Sequence, residues 1–100
     1  MKKFLFLLFI SALFTACSKE FKPTADFTWS ASSTTAPATV TFTNASRNAN
    51  EYNWDFGDGN KSTAKDPTHR YTTRGSYMVN LTVRNGLSQF NTVTKTITLQ

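Results

Sequence analysis

Tyr52-Asn53-Trp54-Asp55-Phe56-Gly57-Asp58-Gly59 is the stretch that decides the fold. Tyr52, Trp54 and Phe56 alternate with Asn53 and Asp55, so a strand here carries three rings on one face and polar groups on the other. The strand must then stop. Gly57 and Gly59 adopt positive φ without a Cβ clash, and Asp58 tolerates that region better than most residues. Asp58-Gly59 is also a strong short hairpin signal. The stretch therefore reads as a buried aromatic strand running into a tight turn.

The same period of two recurs on both sides. Downstream, Tyr77, Val79, Leu81 and Val83 form the cleanest alternation, ended by Asn85-Gly86 as a turn. A last strand runs from about Gln89 to Leu99, with Val93, Ile97 and Leu99 on one face. Lys95 interrupts that face, at a bulge or at the sandwich edge. Upstream, Ala25 to Ser30 reads as the first strand with Phe27 and Trp29 inward. Thr39 to Thr43 reads as the second with Val40 and Phe42 inward. Ala31–Pro37 and Asn44–Asn50 are polar loops, and the polar segment from Asn60 to Thr68 has room for a short edge strand. His69 to Tyr71 is a short strand. About seven short strands with regular turns predict an all-β sandwich.

Three ordered motifs carry a family resemblance. They are Trp54-Asp55-Phe56-Gly57-Asp58-Gly59, then Pro67-Thr68-His69-Arg70-Tyr71, then Gly75-Ser76-Tyr77-Met78-Val79-Asn80-Leu81-Thr82-Val83. Together they resemble the PKD domain, an immunoglobulin-like β-sandwich, over residues 25–100. The resemblance implies structural signature roles for Trp54, Asp55, Phe56, Gly57, Asp58, Gly59, His69, Tyr71, Gly75 and Tyr77. Within immunoglobulin-like folds, Trp54 fits the buried tryptophan, and Tyr77 fits the tyrosine whose hydroxyl bonds back to the chain. Val79 stands where an antibody domain has a cysteine.

Residues 1–16 have the shape of a secretion signal. Lys2 and Lys3 precede an apolar run from Phe4 to Phe14 that is too short for an ordinary transmembrane helix of about 20 residues. Phe14-Thr15-Ala16-Cys17 resembles a bacterial lipobox, with Phe14 in place of the more usual Leu. That resemblance implies cleavage between Ala16 and Cys17 and acylation of the Cys17 thiol. Two or more acyl chains anchor stably, at about 0.8 kcal/mol per buried CH₂. Residues 17–24 are then the lipidated cysteine and a tether, whose seven residues after Cys17 reach roughly 25 Å at most. Ser18 after the cysteine points, by analogy with lipoprotein sorting, to the outer membrane.

One hundred residues allow one small domain, and 14% aromatic content supplies large rings for its core. The formal charge is +5, of which Lys2 and Lys3 account for two, leaving an excess of three. There is no run of Lys and Arg, hence no nucleic-acid footprint. One cysteine excludes an internal disulfide.

Candidates for chemistry are few. Asp55 and Asp58, with Glu51 or Asn60, offer oxygens to a Ca²⁺ ion. The competing and adopted reading is turn chemistry, the carboxylates accepting backbone N–H bonds, with no metal and no cofactor. His69, the only histidine, lacks a nucleophile to activate and reads as a structural residue holding the neighbouring loop. Tyr71, Phe90 and Phe21 are candidate exposed aromatics, with partly buried packing as the alternative. No catalytic residue is expected. The expected function is a lipid-anchored, extracytoplasmic, non-catalytic module making protein–protein or protein–carbohydrate contacts. The alternative is a purely structural envelope component. If antiparallel strands alternate direction, Ala31–Pro37 and the Gly57–Asn60 turn lie at the end away from the tether.

Overall fold

The computed structural model describes residues 22–86 and 89–100, which hold seven strands and no helix. They are β1 (Phe27–Ala31), β2 (Ala38–Asn44), β3 (Glu51–Asp55), β4 (Lys61–Ser62), β5 (Thr68–Tyr71), β6 (Gly75–Arg84) and β7 (Phe90–Leu99). They form two antiparallel sheets, ordered β1-β2-β5 and β4-β3-β6-β7. The expected sandwich is therefore present, and β4 is the short edge strand for which the segment after Asn60 had room.

Alternation builds the core. Phe27, Val40, Phe42, Trp54, Tyr71, Val79, Leu81 and Val83 are all but inaccessible, each turned toward the opposing sheet. Their small, β-branched and hydroxylated neighbours stay outside, where Thr fits the pleated surface. Phe27, Phe42 and Trp54 meet ring to ring, with centroids 5.0 to 5.9 Å apart. Each such pair adds about 0.5–1.5 kcal/mol beyond its area burial.

One expectation about an individual side chain is corrected, and one left between two alternatives is resolved in favour of the sandwich edge. Trp29 shares the inward face with Phe27 but is not buried in the core. It leans on Phe27 and is 39% exposed. β1 is an edge strand with a neighbour on one side only, so its inward face is half covered. Lys95 marks no bulge: β6 and β7 pair without a break from Gly75↔Leu99 to Arg84↔Phe90. Lys95 sits on the inward face of edge strand β7, and its ammonium reaches across to β1 instead.

Register fixes the two ends of the sandwich. Thr24 and Arg47 exchange both backbone hydrogen bonds, and Ala45 N–H donates to Asp26 O, so the Asn44–Asn50 loop lies where the chain enters. Arg84 and Asn91 are at the same end, since Asn50 N–H donates to Arg84 O and Asn91 Oδ1 accepts from Ala25 N–H. At the other end, Gln100 pairs through its backbone with Thr34 and Ala36. Pro23 is buried and Thr24 is bridged, so ordered structure begins ahead of Ala25. Ala16, Cys17 and Phe21 lie outside the described residues.

Candidate functional site

The three motifs converge on one flank of the sandwich, where β3 and β4 face β5. The chain reaches that flank because β3 ends at Asp55 and Phe56 curls over the sheet edge into the glycine turn. Gly57 has φ of +82°, and a Cβ there would sit 2.7 Å from the Met78 carbonyl oxygen of β6. Only glycine lets the turn lie this close to the strand. Gly59 also has positive φ, whereas Asp58 does not. Phe56 N–H donates to Asn60 O and closes the turn.

The turn places Asp58 against His69 of β5. His69 Nε2 donates to Asp58 Oδ2 at 2.7 Å, bridging the two sheets. Asn60 adds its backbone N–H to Asp58 Oδ1 and its amide to Oδ2. Burial alone would push the Asp58 carboxyl up. The hydrogen bonds from His69 and Asn60 outweigh it and hold the group below the ordinary carboxylate range.

Rings line up behind this pair. Phe56 stacks on His69 with centroids 4.3 Å apart and planes 5° apart. His69 meets Tyr71 edge-on at 4.6 Å, and Tyr71 meets Tyr77 at 4.3 Å. The Tyr71 hydroxyl donates to Phe56 O at 2.8 Å, a second bridge between sheets. Burial, with the nearby Asp58 charge adding to it, pushes that hydroxyl far above the ordinary phenol range, so it stays a donor. Tyr77 OH donates to Thr73 O, four residues back along the chain. Trp54 Nε1 donates to Ala64 O at 2.8 Å, holding the segment that crosses from β4 to β5. Gly75 opens β6 at φ of +154°, with the Tyr77 ring beside it.

The predicted residues Trp54, Phe56, Asp58, His69, Tyr71 and Tyr77 thus form one contact chain across the flank. Tyr71 is 1% exposed, which removes it from the candidate exposed aromatics. Asp55 Oδ1 accepts from Gly57 N–H, as turn chemistry requires. Glu51 is at the other end of β3, about 13 Å from Asp55 at strand rise, so it does not join the turn carboxylates. Among the described residues no group of three or more His, Cys, Asp or Glu is placed to hold a metal ion.

The accessible surfaces lie elsewhere. An open groove on the outer face of the four-stranded sheet is lined by Asn53, Asp55, Lys61, Thr63, Asn80 and Thr82. Loop 31–37 and the Gly57–Asn60 turn are exposed and polar at the end away from Thr24. Phe90, 59% exposed, is at the entry end beside Lys22, Gln89 and Asn91.

Sandwich, glycine turn and tyrosine bonded back to its own chain define an immunoglobulin-like module. Residues 20–100 match the PKD domain model, and the chain belongs to the PKD domain family. A PKD domain is itself a non-catalytic module. The PKD1 domain of the metalloprotease PrtV from Vibrio cholerae is 35% identical, with a TM-score of 0.69 over 79% of this chain and 98% of that one. Carbohydrate-binding modules of the β-sandwich superfamily superpose with a TM-score of 0.71 at 30% identity, over 79% of this chain and 34% of that one. Collagenase ColA of Clostridium perfringens is 48% identical over 46 residues, which are 46% of this chain and 4% of that protein.

Proposed function

We propose that the protein is a lipid-anchored, extracytoplasmic, non-catalytic binding module of the outer membrane that makes protein or carbohydrate contacts in trans. The observation that supports it best is the division of labour in the site. Every titratable signature side chain makes a hydrogen bond within the domain, and loop 31–37 and the Gly57–Asn60 turn are polar and largely exposed at the end away from Thr24. Loops held on a rigid scaffold are where binding concentrates. The likeness to carbohydrate-binding modules favours a glycan among the ligand classes. A polar, shallow contact fits these loops better than a deep pocket does.

Cross-linkers placed at Ser33 or Asn60, with Ser46 or Arg47 as controls, test the reading in envelope fractions. Stronger capture of glycan or protein from the first pair is expected; stronger capture from the controls discards it. The anchor is tested separately by labelling with a fatty-acid analogue. Wild type should incorporate label and fractionate with membrane, and Cys17→Ser should do neither.

A further inference from the structure

The entry end of the sandwich sets exposed cations around an exposed aromatic ring. Lys22, Arg47 and Arg84 are exposed there around the exposed ring of Phe90. They are held together by the fold and not merely by sequence. Arg47 exchanges backbone hydrogen bonds with Thr24, Asn48 Nδ2 donates to Lys22 O, and Asn50 N–H donates to Arg84 O. The Arg84 guanidinium lies 5.1 Å from the Phe90 ring centroid, and Lys22 and Gln89 flank the ring's other surroundings. The nearby acids are Glu51, paired in register with Arg84, Asp26, which Lys95 holds, and Asp66, which accepts from Asn44 N–H; exposed Lys65 lies beside Asp66, so five cations stand near three acids.

We infer that this end is a membrane-docking face for an anionic phospholipid surface. Phe90 enters the headgroup layer and Lys22, Arg47 and Arg84 meet lipid phosphates. Three observations favour a bilayer over a soluble partner. The cations outnumber the acids on this face. Its centre is an exposed Phe ring, an apolar group of the kind that membrane-surface elements bury at the headgroup boundary. Lys22 is only five residues beyond Cys17, so an anchor at Cys17 brings this face within roughly 17 Å of the headgroups. The last point rests on the anchored reading above. Docking would fix the sandwich upright, with loop 31–37 and the Gly57–Asn60 turn directed away from the bilayer.

The test uses the chain from Ser18 onward, which carries the whole family match and every contact described. It is spun with vesicles of phosphatidylcholine alone, and of phosphatidylcholine with an equal part of phosphatidylglycerol. Binding to the mixed vesicles is expected. It should weaken roughly fivefold for each of Lys22→Gln and Arg84→Gln, severalfold for Phe90→Ala, and fall with added salt. Melting curves of each variant alongside the parent separate lost docking from lost folding. In the acylated protein, a polarity-sensitive dye on Gln89→Cys should shift to the blue in mixed vesicles, and the same dye on Thr35→Cys should emit as in water. Equal sedimentation with both vesicle types, no sedimentation with either, or identical emission from the two positions would overturn the docking face. An unacylated Cys17 would remove the anchor and leave the sedimentation result standing by itself.

Discussion

The two open flanks of the sandwich are closed by different physics. On one flank, β3 and β4 meet β5 through a run of stacked rings and three hydrogen bonds from Trp54, His69 and Tyr71. On the other, the two ends of β7 are tied by the Asn91–Ala25 bond and the Gln100 backbone pair, and its middle meets β1 through the Lys95 side chain. Lys95 Nζ donates to Phe27 O at 2.6 Å, pairs with Asp26 Oδ1 at 2.9 Å and lies 5.2 Å from the Phe27 ring centroid. The first flank is a buried, interlocked assembly. The second is a flexible cation laid along an edge, its side chain 32% exposed. Stability should therefore be concentrated on the first.

The largest expected effect is at Trp54. Trp54→Ala removes the ring at the centre of the aromatic cluster and should cost about 3–5 kcal/mol by cavity formation, a large share of a small domain's stability. Melting within a degree or two of wild type would break the comparison at its stronger side. Next is Gly57→Ala. Its Cβ meets the Met78 backbone and its φ is left-handed, so the cost should exceed the roughly 1–2 kcal/mol of left-handed strain alone. Gly59→Ala, with positive φ but no atom within 4 Å of a new Cβ, should show that strain and no more. Equal losses at the two glycines would mean that the close approach to β6 is not limiting.

Smaller again is Lys95→Met, which keeps the stem and leaves Phe27 O without its donor. A loss of about 1 kcal/mol is expected after solvent screening. A loss matching that of Trp54→Ala would erase the contrast between the flanks. The smallest effect is acid sensitivity at the latch. Asp58 has a folded pKa below its ordinary value, so its contribution is complete above the unfolded value of about 3.9 and is lost as pH falls through the folded one. Below about pH 4 the wild-type melting temperature should therefore fall more steeply than that of Asp58→Asn. Asp26, held down by the Lys95 hydrogen bond and the Phe27 N–H, titrates in the same direction on the other flank, so the double variant should be flatter still.

The same contrast explains what was legible beforehand. The aromatic flank is written in local pattern: alternate rings, a glycine turn and a His-x-Tyr pair each announce a strand or a stop. Its motifs also come in the order in which the flank is assembled. Trp29 is misplaced, and Lys95 is left between a bulge and an edge, for the same reason: alternation states which way a residue points and not whether anything covers it. Coverage depends on which strand ends up at an edge, and that is fixed by pairings far apart in the chain. The His69–Asp58 bridge lay between these cases. A structural histidine was expected, but its partner eleven residues upstream follows only from the sheet-to-sheet approach. The basic, aromatic entry end has no sequence signature at all, since Lys22, Arg47, Arg84 and Phe90 are drawn from four separate segments.

The opposite placement of Thr24 and loop 31–37 has a mechanical consequence. Tension applied between the point where the chain enters and a ligand held at the far loops would run along β1, nearly parallel to its axis. The hydrogen bonds of the β1–β2 ladder, from Phe27↔Asn44 to Ala31↔Val40, stand perpendicular to that pull. They would be loaded together in shear and not peeled one at a time. A domain wired in this way resists extension through a single short strand, and the Thr24–Arg47 bridge is the first clasp to feel the load.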